Sequence, residues 1–299
     1  MSTTISETKL QLPLFCRGKV RDTYNLNGML LIVSTDRLSA FDVVLPDPIP
    51  DKGCVLNQLS CFWFEKTGQV MPNHLVAPVD AAEALKGYFP AKSAPPDYLV
   101  GRSMITLKAE RVPVECVVRG YISGSAWAEY KKHGTISGIT APSGLEESQE
   151  LPQPIFTPTT KAETGHDEPL NNKELENLVG KSTADKLEES SLAIYRYARD
   201  YARGRGVIIA DTKFEFGFAD DKLILIDEIL TPDSSRFWDA SQFTVGRSQP
   251  SFDKQPIRDW LVASGWNKEP PAPKLPPEVI AATTKRYREA YERLTGKAL

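Results

Sequence analysis

The chain has 299 residues, 41% of them hydrophobic, with 36 lysines and arginines against 39 acids and a net charge of −3. A chain of this length can bury a sizeable core and lies where two lobes are expected rather than one. The charge balance argues against a surface that coats nucleic acid, and no apolar run approaches the ~18 residues of a membrane span. The opening MSTTISETKLQLPLF lacks the basic and apolar regions of a secretory signal, so a cytoplasmic protein is expected. Cys16, Cys54, Cys61 and Cys116 show no CxxC spacing and read as reduced thiols, mostly in the core. His74, His133 and His166 lie far apart, which disfavours a zinc site, and no GxSxG elbow accompanies them to suggest a nucleophilic triad.

LPLFCRGKVRDTYNL and MLLIVST read as strands joined at Asn27-Gly28, the strongest short hairpin signal. A helix is predicted over 53–68, with Leu56, Leu59, Ser60, Trp63 and Phe64 on one stripe. YLVGRSMITLKAERVPVECVVRGYI gives further strands interrupted by Pro113, and 123–133 reads as a short helix stopped by Gly134. From there to Asn172 the chain carries many Pro, Ser, Thr and Gly without a period and is expected to be one long loop. A helix over 183–203 follows, its apolar stripe formed by Leu187, Ser191, Ile194, Tyr195, Ala198, Tyr201 and Ala202. Two last helices are expected, over 256–264 and 277–294, the second carrying a Glu289–Arg293 pair and serving as a cover.

The segment VIIADTKFEFGFADDKLILIDEIL, residues 207–230, sets Asp211, Glu215, Asp227 and Glu228 among residues that read as buried sheet. Unpaired buried carboxylates cost several kcal/mol, so something positive must meet them. Alternation puts Ile208, Ala210, Thr212, Phe214, Phe216 and Phe218 on one face and Asp211, Lys213 and Glu215 on the other. LILIDEIL is apolar on both faces, as a central strand would be. A three-residue loop at 220–222 would bring Asp227 opposite Glu215, whereas a two-residue loop would leave Asp227 on the phenylalanine face. Two carboxylates that close repel unless a cation lies between them, and Mg²⁺ suits them best. An ion-pair network through Lys213 and a nearby arginine satisfies the same demand, and the hairpin alone does not choose.

RGKVRD, residues 17–22, is a Gly-flanked turn with Lys19 and Arg21 directed to one side, suited to phosphate but not a Walker loop. GKVRDTY, STDRLSAFD, IPDKGCVLNQLSCFWF, VECVVRGYISGSAW, FTPTTKAETGHDE, DTKFEFGF, LIDEILTPDSSRFW and DKQPIRDW follow in that order. Together, from about Phe15 to Trp260, they resemble the SAICAR synthetases, the phosphoribosylaminoimidazole-succinocarboxamide synthases, and in particular the longer, yeast-type members.

The resemblance implies an α+β fold with antiparallel sheets and a two-lobed, kinase-like ATP-binding architecture. Residues 1–113 would be the ATP-binding lobe, 114–250 the lobe with metal and substrate sites, and 251–299 a helical extension. It further implies a cytoplasmic ligase of purine biosynthesis that joins L-aspartate to carboxyaminoimidazole ribonucleotide with ATP and Mg²⁺, through an acyl phosphate, and a monomer. Gly18, Lys19 and Arg21 match the family's phosphate-contacting turn, and Arg111 to Glu115 the segment holding adenine. Glu215 and Asp227 match the magnesium ligands. Arg119, Ser125 and Arg236 match residues that grip the ribonucleotide, and Asp36 and Lys213 lie near the reacting groups. Lys161 and His166 fall in a substrate-side loop. Three anionic substrates need cations, which Arg37 and Arg247 supplement, and Asp36 or Asp211 is the candidate base for the amine. A kinase-like phosphotransferase is the nearest rival, although no HRDxxxxN string is present. A nucleotide-binding regulator without turnover is the other.

Overall fold

The computed structural model describes residues 4–91, 93–161, 168–252 and 254–299. The chain begins with β1 (Leu14–Arg17), β2 (Arg21–Leu26) and β3 (Met29–Ser34). Asn27 and Gly28 both take positive φ, 47° and 94°, as a two-residue type I′ turn requires, so the Asn-Gly signal decides this hairpin. After the small ribbon β4 (Ser39–Ala40) and β5 (Val43–Val44) comes α1 (Lys52–Thr67). β6 (Leu75–Pro78) and β7 (Ser103–Leu107) then complete a five-stranded antiparallel sheet in the order β1-β2-β3-β7-β6.

The second sheet is built on β9 (Val114–Tyr121), which follows the two-residue β8 (Glu110–Arg111). α2 (Gly124–His133) ends at Gly134, whose φ of 68° makes it the left-handed cap the sequence called for. Beyond it the expected long loop is not structureless. It holds the ribbon β10 (Thr135–Ile136) and β11 (Ile139–Thr140), then β12 (Glu150–Phe156) and β13 (Thr159–Thr160), both paired to β9. α3 (Asn172–Val179), absent from the sequence-based expectation, opens on a capping box between Asn171 and Glu174. α4 (Lys181–Arg203) leads into β14 (Val207–Ala219), β15 (Lys222–Ile226) and β16 (Ser235–Asp239), and α5 (Gln255–Ala263) and α6 (Pro277–Thr295) finish the chain. The sheet runs β12-β9-β14-β15, with β8 and β16 also on β14. The architecture is α+β.

The structure decides the open question of the acidic hairpin's loop and corrects two expectations about its strands. Its loop has two residues, Asp220 and Asp221, both at positive φ, and Glu215 pairs with Ile226 rather than Asp227. The even-numbered face is split, because the β14–β16 register shifts between Ile209 and Asp211. That bulge sends Ile209, Phe214 and Phe216 into the main core and Ile208 and Ala210 into a separate cluster with Tyr121 and Trp238. β15 is also not central: it pairs with β14 on one edge, and its other edge is covered by residues 72–74, through Leu225 N–H to Pro72 O and His74 N–H to Leu225 O.

The main core takes residues from both sheets, Ile32 and Met104 from the first and Val114, Cys116, Val118, Phe214 and Phe216 from the second, with α1, α4 and α6 between and around them. α1 is buried on nearly every side, wider than one stripe: Lys52, Gly53, Val55 and Cys61 are enclosed along with the expected Leu56 and Trp63. Gly53 is required there, since a Cβ would lie 2.3 Å from Ser34 O. On α4, Tyr195 crosses beneath Gly120 to donate a hydrogen bond to Ile209 O at 2.7 Å, which fixes the helix against β9 and β14.

Candidate functional site

β9 and β14 run antiparallel with Arg119 opposite Asp211 and Val117 opposite Lys213. On β9 Val114, Cys116 and Val118 enter the core, while Glu115, Val117 and Arg119 stay half-buried on the opposite face. On β14 the matching face presents Asp211, Lys213 and Glu215, and β16 places Arg236 opposite Asp211. Strand alternation therefore gathers charge from three strands on one side of the sheet.

The charges form a continuous row. Lys161, just after β13, lies 2.7 Å from both Glu115 and Glu215. Lys213 lies 2.5 Å from the same Glu215 oxygen and 3.0 Å from Asp227. Arg21, at the start of β2, reaches the other Asp227 oxygen at 2.6 Å and lies 3.8 Å from Glu228. Asp227 joins the row despite its register because it follows the end of β15 with φ of 69°, a left-handed conformation that reverses the side-chain direction alternation would give. Four acids and three bases meet here.

Burial alone would raise the Asp227 carboxyl, but Arg21 and Lys213 hold it well below the usual carboxylate range. Burial opposes the charge on Lys213, and Asp227 and Glu215 outweigh it, raising its pKa well above that of a free lysine. Burial and Lys213 oppose the charge on Lys161; Glu215 and Glu115 prevail and raise its pKa. At neutral pH Asp227, Lys213 and Lys161 are therefore all charged. Among the described residues no group of three or more His, Cys, Asp or Glu side chains is arranged to hold a metal ion. Glu215 and Asp227 supply two hard oxygens converging on one point, a set that a divalent cation completes only with oxygens from a ligand or water.

Next to this row, Asp211 accepts from Arg236 and lies 3.6 Å from Arg119, which also donates to Thr157 at 3.1 Å. Arg236 passes so close to the start of α2 that a Cβ on Gly124 would lie 2.5 Å from its Nη2, and Gly124 has φ of 57°. Ser125 is exposed in the first turn of that helix. A cavity of about 560 Å³ is lined by Lys19, Phe41, Asp42, Glu228, Asp233, Arg236, Lys254 and Arg258 among others. A smaller one of about 140 Å³ lies against Asp211, Ser234, Arg236, Lys254 and Arg258.

Other expected site residues stand elsewhere. Lys19 pairs with Asp42 at 2.6 Å, so it and Arg21 take separate partners. Gly18 closes the turn by donating its N–H to Arg21 O. Arg37 braces that turn: it donates to Lys19 O, Gly18 O, Ser6 O and the Asp22 carboxylate. Asp36 is fully buried and accepts from Ile5 N–H, Gly53 N–H and Arg102, so a proton-accepting part would require breaking those bonds. Arg111 is exposed on β8, and the Arg247 guanidinium donates to Thr244. His166 lies outside the described residues. Sequence reasoning missed Lys52, Asp233 and Lys254, which form a buried cluster, although a lysine opening an apolar helix was a visible signal.

Two antiparallel sheets with helices packed on them, and a row of paired acids and lysines on one face of the second, give an α+β protein with a charged site. The SAICAR synthetase family model matches residues 14–273. The phosphoribosylaminoimidazole-succinocarboxamide synthase of Desulfosudis oleivorans is 54% identical over 288 residues, 95% of this chain and 96% of its own length. The SAICAR synthase from Saccharomyces cerevisiae, solved in complex with SAICAR, is 45% identical, covers 99% of both chains and superposes with a TM-score of 0.89. The SAICAR synthetase of Pyrococcus horikoshii is 26% identical, with a TM-score of 0.67 over 93% of this chain and 99% of its own. The chain belongs to the SAICAR synthetase family.

Proposed function

We propose that the row from Glu115 to Arg21 is where this ligase handles its triphosphate, and that Glu215 and Asp227 hold Mg²⁺ delivered with it. The family's reaction is the ATP-dependent joining of L-aspartate to carboxyaminoimidazole ribonucleotide. A carboxylate is a poor acylating agent. Its oxygen attacks the γ-phosphorus, ADP leaves, and the amine of aspartate then displaces phosphate from the acyl carbon after losing a proton. No protein nucleophile is required, so catalysis rests on positioning and on charge neutralisation.

The observation that carries this reading is the convergence of Glu215 and Asp227 on the Lys213 ammonium, at 2.5 and 3.0 Å. The row as it stands has one more acid than base, and two carboxylates with phosphate oxygens and water are an ordinary set for Mg²⁺. Bound there, the ion would supply charge to the phosphates. Lys161, Lys213 and Arg21 already lie beside the acids and would orient the γ-oxygens. Arg119 and Arg236, braced by Asp211, suit the ribonucleotide phosphate through bidentate bonds. Asp211 borders the small cavity, which Asp36 does not, but like Asp36 it is already paired and would have to release an arginine to take the proton of the amine.

The test is to measure new amide and ADP together while each of ATP, the ribonucleotide, L-aspartate and Mg²⁺ is omitted in turn. Amide is expected only with all four. A stable phosphorylated product with ADP in the absence of aspartate would point instead to a phosphotransferase, and ATP binding without ADP under any condition to a regulator.

A further inference from the structure

The C-terminal helix α6 does more than cover the core, because one of its buried side chains reaches the wall of the substrate cavities. Tyr287 is fully buried and donates its hydroxyl to Asp233 Oδ1 at 2.6 Å. The other oxygen of Asp233 lies 2.8 Å from Lys52, at the start of α1, and 3.1 Å from Lys254, just before α5. One carboxylate thus joins α6, α1 and the segment entering α5. Among the described residues Asp233 is the only ionic partner of Lys254, and Asp233 and Lys254 line both the 140 and the 560 Å³ cavities.

The smaller cavity has the size and charge of an amino-acid site. At about 140 Å³ it lies well below the ~300–1,000 Å³ of pockets for drug-sized ligands, so it excludes a nucleotide. Its walls present three cations, Arg236, Lys254 and Arg258, and two acids, Asp211 and Asp233. With Arg236 given to the ribonucleotide phosphate, Lys254 and Arg258 remain for the two anionic ends of a dicarboxylic amino acid, and the acids for its ammonium. Arg258 lines this cavity and has no ionic partner among the described residues.

We propose that Tyr287 is a positioning residue for the amino-acid substrate: its hydroxyl fixes the Asp233 carboxylate, which in turn holds Lys254 at the cavity wall. Without the hydroxyl, Oδ1 would be left buried without a donor. The carboxylate would then turn to find another, carrying the lysine with it. The proposal rests on the ligase reading above, but concerns only how the amino acid is gripped.

The test is steady-state kinetics of the full chain, varying L-aspartate at saturating ATP and ribonucleotide, on Tyr287→Phe and on Tyr291→Phe as control. Tyr291 lies one turn further along α6 and donates to Gln58, so its loss removes a buried hydroxyl of the same kind without touching Asp233. Tyr287→Phe is expected to raise KM for L-aspartate about tenfold, with kcat and the KM for ATP within about twofold; Tyr291→Phe should change none of them. In a Lys254→Met background, adding Tyr287→Phe should raise that KM less than about twofold further, since the two act through one contact. An unchanged KM for L-aspartate in Tyr287→Phe would overturn the proposal, as would an equal rise in Tyr291→Phe or for ATP. Absence of amide formation by the unaltered protein would instead overturn the ligase reading beneath it.

Discussion

Replacing Asp233 by Asn should reveal how strongly the buried charges hold the chain together. Asp233 is 3% exposed at its side chain and Lys52 is 0% exposed, 2.8 Å away. Breaking a buried pair by removing one partner leaves an uncompensated charge and costs about 3–5 kcal/mol. Lys52 has an escape: burial already lowers its pKa, against the pull of Asp233, so without its partner it can fold neutral. That places the expected loss near the bottom of the range, about 3 kcal/mol, and the fall in Tm at roughly 6–12 °C. The pH dependence follows from two shifts. Burial would raise the Asp233 carboxyl, but Lys254 and Lys52 hold it well below its ordinary value. A carboxyl depressed in the folded state contributes stability above its unfolded pKa of ~3.9 and loses it as pH falls. The difference between the two proteins should therefore shrink by about 1.4 kcal/mol per pH unit below pH ~4. In the variant, folding releases the Lys52 proton, so its stability should recover as pH rises towards ~10 and the difference should narrow there too. Chemical denaturation at pH 3, 6 and 9 reads all of this. A loss under about 1 kcal/mol at pH 6, or the same loss at all three values, would refute the reasoning.

Gly120→Ala should destabilise the protein by about 2–4 kcal/mol in the same assay, because the new Cβ would lie 1.9 Å from Tyr195 Oη; adding Tyr195→Phe should recover part of it. Gly124→Ala strains a left-handed residue and pushes Arg236 away from Asp211, so amide formation should fall about tenfold or more while the fold survives. Asp36→Asn should weaken stability by about 2–4 kcal/mol, with kcat of the folded protein within a few-fold of the original. A hundredfold loss of kcat with intact stability would return Asp36 to the role of base.

Much of the fold was legible because local chemistry decided it. Asn27-Gly28 permits one hairpin, and the period of Leu187, Ile194, Tyr195 and Ala198 gives one buried face to α4. β12 was not legible, since Pro152 and Pro154 argue against a strand. They are tolerated because β12 is an edge strand, where a missing N–H leaves no partner unsatisfied. α3 escaped notice because eight polar-rich residues follow a Pro-rich run, although the Asn171–Glu174 box marked its start. At the site, alternation correctly gathered Asp211, Lys213 and Glu215 on one face. It could not place Asp227, whose approach depends on a single left-handed residue rather than on register. The cation between the two acids in this structure is Lys213, half of the internal network the sequence allowed. The Asp233 cluster joins residues more than 200 positions apart along the chain, a distance over which periodicity carries no information.

The most direct test of the account is amide formation by Glu215→Gln with all three substrates and Mg²⁺ present, alongside a thermal melt. Glutamine keeps the shape of the side chain and removes only the charge that Lys161, Lys213 and a divalent cation would share. The account predicts a folded protein that forms no measurable SAICAR. A folded variant turning over at the original rate would contradict it, for the triphosphate would then be handled elsewhere.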